Sequence, residues 1–333
     1  MAQVLTNSWL DFRDFDLYLT FAEFDQFLFS DNAGLTLTGA DLPGLVGTYT
    51  ASDVAAWWVG GASPATATGS MVVGGENVVM DVQGIPSAGT VTGFSGVIED
   101  IGGTNYIALL GTSVSAVSFY KAAITASIAD DLALLRAMLA GNDRLTMVGF
   151  DDYAFGANGN DTLVGNGGND TLLGDAGRDL LQGGNGGDSL AGGIGNDTLQ
   201  GGFGADTLAG EGGSDVLNGG QGRDLLYLGF ENVRDVVEFS SITDSAKGGT
   251  RDNVYGFVSG IDDISLAAID ADSRTGANDA FVFAGTTATA NAVWFKTVGT
   301  SVMVYADATG DAVADFSLLL YAVSSVTAGD FLL

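Results

Sequence analysis

The chain has 333 residues, 46% of them hydrophobic, with 41 acidic against 11 basic side chains and a formal net charge of −30. That charge repels nucleic acid and anionic membranes and attracts divalent cations, while the apolar content supplies a core that a disordered acidic tail would lack. The absence of histidine and cysteine excludes Ser-His-Asp and Cys-His catalysis, HExxH zinc proteases, imidazole or thiolate metal sites and any disulfide framework.

The N-terminal stretch has neither a basic start nor an apolar h-region, so it does not read as a Sec signal peptide. No apolar run reaches the length of a membrane span, so membrane insertion is not expected. Trp9, Phe12, Phe15, Tyr18, Phe21, Phe24 and Phe27 recur every three residues among acids. That period drifts around a helix and fits no single strand face. It reads as a helical turn or short helix near 17–29 followed by strands. The aromatics serve either core packing or a surface for self-association or ligand binding, and Trp57 and Trp58 share that ambiguity. Strands are expected at 70–73, 77–83, 89–98 and 105–110, separated by Gly-Gly and Pro. Helices are expected at 113–127 and 130–140, the second stopped by Gly141. Its apolar stripe of Leu132, Leu134, Leu135, Met138 and Leu139 would cap the element that follows.

That element is a run of eight consecutive nonapeptides over residues 156–227. Position 1 is always glycine: Gly156, Gly165, Gly174, Gly183, Gly192, Gly201, Gly210 and Gly219. So is position 4: Gly159, Gly168, Gly177, Gly186, Gly195, Gly204, Gly213 and Gly222. Position 6 is always aspartate: Asp161, Asp170, Asp179, Asp188, Asp197, Asp206, Asp215 and Asp224. Position 8 is always leucine. Glycines at positions 1 and 4 allow φ > 0 and a tight turn that presents carbonyl oxygens, and the aspartate adds a carboxylate. The last three residues form a short strand with only the leucine pointing inward.

One nonapeptide is thus half a coil, and loops stack in two columns at about 4.8 Å spacing. Asp161, Asp179, Asp197 and Asp215 fall in one column; Asp170, Asp188, Asp206 and Asp224 fall in the other. Carboxylates stacked so closely repel unless a cation lies between them. Oxygen-only ligands, partly backbone, suit Ca²⁺ rather than Zn²⁺ or Mg²⁺. The candidate ligands are positions 1, 4 and 6 together with position 3: Asn158, Gly167, Ala176, Asn185, Ile194, Phe203, Gly212 and Gln221. Three gaps per column give roughly six sites. A weaker register upstream places Asp143 and Asp152 at position 6, with Phe150 and Ala154 replacing the second block's glycine and leucine; these two blocks bring the expectation to about eight ions.

Beyond the repeats, strands are expected at 235–239, 253–257, 280–283, 292–296, 301–305 and 317–321. Asp307, Asp311 and Asp315 are spaced as in an EF-hand loop but lack its central glycine and terminal glutamate, so a turn with solvated acids is expected.

The nonapeptides resemble the RTX (repeats-in-toxin) family. The stretches VYGFVSGIDDISL at 254–266, DAVADF at 311–316 and VTAGDFLL at 326–333 resemble the secretion domain that ends serralysin-type metalloproteases. In that family an acidic residue followed by hydrophobic ones at the C-terminus belongs to an uncleaved type I secretion signal, a role the resemblance gives to Asp330, Phe331, Leu332 and Leu333. It implies a Gram-negative extracellular or cell-surface protein exported by an ABC transporter. Protease activity is not implied, because the zinc helix is missing. Residues GTSVSA at 111–116 and LAGND at 139–143 also resemble an uncharacterised module preceding such repeats, which brings no activity.

The expected fold is therefore mainly β. A parallel β-roll over 141–230 is flanked by an N-terminal α+β or β-sandwich-like module over 1–140 ending in helices, and by a C-terminal β-rich cap and secretion unit over 231–333. The expected role is a secreted calcium-binding, non-enzymatic structural protein that self-associates into a homo-oligomer or polymer. The rivals are an adhesin or carbohydrate-binding module using Trp57 and Trp58, and a hydrolase working with carboxylates alone.

Overall fold

In this computed structural model, the backbone is described for eight strands within residues 3–115. Side chains are described for residues 136, 139–147, 149, 151–229, 232–246, 248–275 and 278–333. The chain divides into two compact units, Met1–Thr162 and Leu163–Leu333.

The first unit contains an antiparallel sheet in the order Gln26–Ser30, Asp53–Val59, Gly69–Met80, Pro86–Asp100, Gly103–Ser115 and Gln3–Thr6. Gln3–Thr6 then pairs in parallel with Arg144–Thr146, so the chain's first strand joins the meander to the first solenoid-like strand.

Three expectations change here. The segments 70–73 and 77–80 belong to one strand, Gly69–Met80, because Gly74-Gly75 is absorbed as a shift in register with Pro86–Asp100 rather than as a break; 81–83 lie outside the described residues. Flexible glycines within a long antiparallel pair make a bulge when both flanks still find partners. Phe27 and its neighbours lie in Gln26–Ser30, not in a helix, while the rest of 17–29 lies outside the described residues. The expected helix at 113–127 loses its first residues to Gly103–Ser115; from 116 on it also lies outside them. Of the expected helix at 130–140, Arg136 is helical and Leu139 is fully buried. Trp57 and Trp58 lie in Asp53–Val59.

The second unit is a parallel β-solenoid with two sheets. One carries Leu180–Asn185, Thr198–Gly204, Val216–Gly222, Val236–Glu238, Asp263–Ser265 and Phe331–Leu332. The other carries Thr171–Leu173, Ser189–Ile194, Thr207–Gly212, Leu225–Tyr227, Asp252–Tyr255 and Phe316–Leu320. Each strand sits over the strand eighteen residues on, in exact sequence register through the repeats: Leu181 over Leu199 over Leu217 in one sheet, and Leu172 over Leu190 over Leu208 over Leu226 in the other. These leucines are at most 1% exposed. They form two facing ladders that meet inside the roll, the period-2 inward position of a short strand.

The solenoid does not stop at Tyr227. Val237, Val254, Ile264 and Leu320 continue the buried ladders, each fully enclosed. On the outside, Tyr227, Tyr255 and Tyr321 stack ring on ring at 4.9 and 4.4 Å between centroids, repeating the layer spacing in side chains. The antiparallel strands Ala292–Val298 and Ser301–Ala306 then close the second sheet against Phe316–Leu320.

Candidate calcium sites

Loop geometry separates the roles of the glycines. Every position-4 glycine has positive φ, from +114° at Gly168 to +159° at Gly222. None of the position-1 glycines does, which corrects the expectation that both positions serve the turn. Position 2 takes the left-handed conformation instead, and four non-glycine residues bear it: Ala157, Asn166, Asp175 and Glu211, at φ of 68–72°. Position 1 is glycine for space. All eight of these residues are buried, and a Cβ on Gly192 would stand 2.6 Å from Asp197 Oδ2 and 2.9 Å from the Gly210 carbonyl oxygen. A carboxylate of one loop and a carbonyl of the next therefore face the same small space.

Position 6 builds the columns. Within the second unit, the backbone N–H of Asp170 donates to Asp188 Oδ1, Asp188 to Asp206, Asp206 to Asp224 and Asp224 to Asp252, at 2.8–2.9 Å. The other column runs Asp179 to Asp197, Asp215, Asp235 and Asp262, at 2.8–3.0 Å. In the first unit, Asp143 N–H donates to Asp161 Oδ1 at 2.7 Å. Each aspartate thus fixes the preceding layer with one oxygen. The other oxygen, Oδ2, accepts no hydrogen bond in Asp197, Asp206, Asp224 and Asp252, all at most 1% exposed. A buried carboxylate oxygen left so is costly, and a bound cation relieves that cost.

Electrostatics follow the same arrangement. Burial raises the carboxyl of Asp197 above the ordinary range, against the Asp179 amide that lowers it. Burial pushes Asp206 up to about 6, helped by the negative charge of Asp188 and opposed by its amide. Asp224 rises to about 7 through burial, with the charges of Asp206 and Asp244 adding to it. Asp252 rises to about 8, again first by burial and then by the charge of Asp224.

Without calcium, these folded carboxyls hold protons more tightly than the unfolded chain, whose value is near 3.9. The stability they contribute is complete below that value and is lost as pH rises through 6 to 8. In EGTA a melting transition of the roll is therefore expected to appear, and to move to higher temperature, as pH is lowered from neutral toward 5. In saturating calcium the trend reverses, because protons compete with the ion. Thermal melts across that range under both conditions measure the two slopes, and matching slopes would refute the reading.

The remaining candidates fall into place around the columns. Asp143 and Asp152 are each 3% exposed, and Leu145 and Ala154, two residues further on, are fully buried, so the upstream blocks keep the position-6 and position-8 pattern. Position-3 side chains face outward. Ile194 is 76% and Phe203 59% exposed, leaving only their backbone carbonyls for the loop interior. Those of Asn185, Ile194, Phe203 and Gly212 already accept the N–H of the position-4 glycine one layer back. Asn142, Asn169 and Asn196 add an outer ladder, each side-chain oxygen accepting an amide eighteen residues on. Among the described residues no three carboxylates converge closely enough to hold an ion by side chains alone. Backbone carbonyls must complete any coordination shell, as hard-oxygen calcium chemistry permits.

Residues 148–181, 155–190, 182–217 and 191–226 match the RTX calcium-binding nonapeptide repeat. Residues 148–226 are RTX repeats. The structure of the AlgE6R3 subunit from the Azotobacter vinelandii mannuronan C5-epimerase, determined in solution, is 24% identical over 48% of this chain and 80% of that one, with a TM-score of 0.27. No curated protein matches the chain. The RTX repeats bind Ca²⁺, and no helix among the described residues is long and apolar enough to cross a membrane.

Three aspartates of the columns, Asp235, Asp252 and Asp262, escape the nonapeptide pattern because their loops have lost the glycines. Their signal survives in a shorter form: Asp235-Val-Val237, Asp252-Asn-Val254 and Asp262-Asp-Ile264 keep the aspartate and the inward apolar residue two positions later. Of the three acids with EF-hand-like spacing, Asp311 is exposed as expected of a solvated turn, but Asp307 is not. Asp307 is fully buried. Its carboxylate accepts the amides of Thr309, Gly310, Ala312 and Asn291 at 2.9–3.2 Å. Burial opposes its ionisation, but these donors outweigh it and hold the carboxyl below the usual range. Asp307 is a folded hub that closes the 307–315 loop.

Proposed function

We propose that this RTX chain is a secreted, non-enzymatic structural protein whose roll folds on Ca²⁺ outside the cell and then associates with further copies of itself. The observation that carries the calcium part is the row of buried Oδ2 atoms facing glycine-lined gaps. In each gap the Oδ2 of a column aspartate and the loop carbonyls of positions 1, 3 and 4 would hold the ion; Asp143 and Asp152, in the first unit, are proposed as ligands of the same kind. Roughly six to eight ions are proposed on this basis. Bound calcium supplies positive charge between stacked carboxylates; the aspartates, glycines and leucines supply position, space and core.

Export by a type I ABC machinery from a Gram-negative cell rests on the resemblance of the C-terminal unit. It is compatible with a repeat segment held unfolded by its own charge where calcium is submicromolar. Self-association is supported by few lysines and a high apolar content in an acidic chain. The structural reading predicts a calcium-dependent rise in sedimentation coefficient beyond that of a folded monomer. Sedimentation velocity in millimolar calcium and in EGTA tests it, and a monomer in both conditions would end the self-assembly reading while leaving calcium binding intact.

A further inference from the structure

We propose that a calcium site lies beyond the repeats, between Asp224 and Asp252, bordered by residues 240–245 instead of a glycine loop; it rests on the calcium reading of the columns. Asp224 and Asp252 are both fully buried. Asp252 Oδ1 accepts the Asp224 N–H at 2.8 Å, the same layer-to-layer bond as in the repeats, but across 28 residues instead of 18. The second oxygens of both carboxylates accept no hydrogen bond. They reproduce the paired orphan oxygens of the repeat gaps without the sequence that defines a repeat.

The surroundings favour a divalent cation. Asp244, 5% exposed, is held by the amides of Ser240 and Ser241 at 2.9 and 2.8 Å, and its charge acts on both Asp224 and Asp252. The described ion pairs join Arg234 to Asp263 and Arg274 to Asp272, so none neutralises this group. No three carboxylates converge, so Asp244 adds charge, and backbone oxygens complete the shell. Hard oxygen donors around a doubly charged ion fit Ca²⁺.

The site also has a structural task. Ser245 Oγ accepts the Asp252 N–H at 2.9 Å and donates to the Ser317 carbonyl at 2.7 Å, which ties the loop to Phe316–Leu320. In that next layer Leu318 stands opposite Asp252, so the acidic column ends here. A cation at this gap therefore joins the last repeat to the strands that close the solenoid.

The test is Asp252→Asn in the full chain, which keeps the oxygen that accepts the Asp224 amide. Calcium bound at saturation, counted by native mass spectrometry, is expected to fall by one ion. Calcium-induced protection from hydrogen exchange is expected to disappear from 252–255 and 316–320 while persisting in 180–217. An ion count equal to that of the unaltered chain overturns the inference. An unaltered chain that binds no calcium overturns the reading of the columns itself. Should the variant not fold, anomalous diffraction from terbium-loaded crystals of the unaltered chain decides: a peak between Asp224 and Asp252 supports the site, and its absence with peaks in the repeat gaps refutes it.

Discussion

Chelating calcium with EGTA at neutral pH is expected to abolish the β signal of residues 140–230 in the far-ultraviolet circular dichroism spectrum, and restoring millimolar calcium is expected to recover it. At ten times its Kd, a single site stabilises the folded form by about 1.4 kcal/mol. Six to eight such sites give on the order of 10 kcal/mol, comparable with the whole stability of an ordinary domain. The leucine ladders alone face two columns of buried carboxylates; of those lying at about 6, 7 and 8 in the folded chain, Asp206 is mostly charged at neutral pH, Asp224 about half charged and Asp252 mostly protonated. Nothing but a cation or a proton offsets that. An unchanged spectrum in EGTA would refute the folding switch.

The second large effect is expected from Gly204→Ala. Gly204 has φ of +141°, a conformation that costs an L-residue about 1–3 kcal/mol. The added methyl would also overlap the Gly186 carbonyl of the layer before. That carbonyl belongs to stacked backbone on both sides and cannot retreat without opening the layer spacing. A loss of at least about 3 kcal/mol is expected, read from urea unfolding in saturating calcium, together with weaker calcium affinity. Glu211→Ala makes the matched control. Its position-2 site already accepts a side chain at φ of 68°, and little change is expected. Similar losses in both variants would disprove the division of labour among the loop positions.

The roll was legible because its signal is redundant: the same four positions recur eight times, and each has one physical reason. Even there, pattern alone misassigned the position-1 glycines to turn geometry. Glycine records that a Cβ is forbidden without recording why, and the reason at Gly192 is a carboxylate from its own loop and a carbonyl from the next. The strands of the C-terminal segment were legible from apolar runs, but their partners were not. Val237, Val254 and Ile264 join the ladders across connections of 20 to 28 residues, and a fixed period cannot register layers of unequal length. Asp307 illustrates a related limit, since the spacing of acids does not reveal whether amides turn inward to meet them. At Gly74-Gly75, composition suggested a break where long flanking strands instead absorbed a bulge.

The bonds that link the layers all point one way. In the second unit, every column aspartate except the last of each column, Asp252 and Asp262, offers its amide to the carboxylate of the layer that follows it in sequence, never to the one before. The stack is therefore polar. Trimming layers from its N-terminal side leaves the remaining column amides with their acceptors, whereas a cut after Tyr227 strands those of Asp215 and Asp224. The segment after Tyr227 therefore supplies the carboxylate acceptors for the last amides of the repeats, Asp215 in one column and Asp224 in the other.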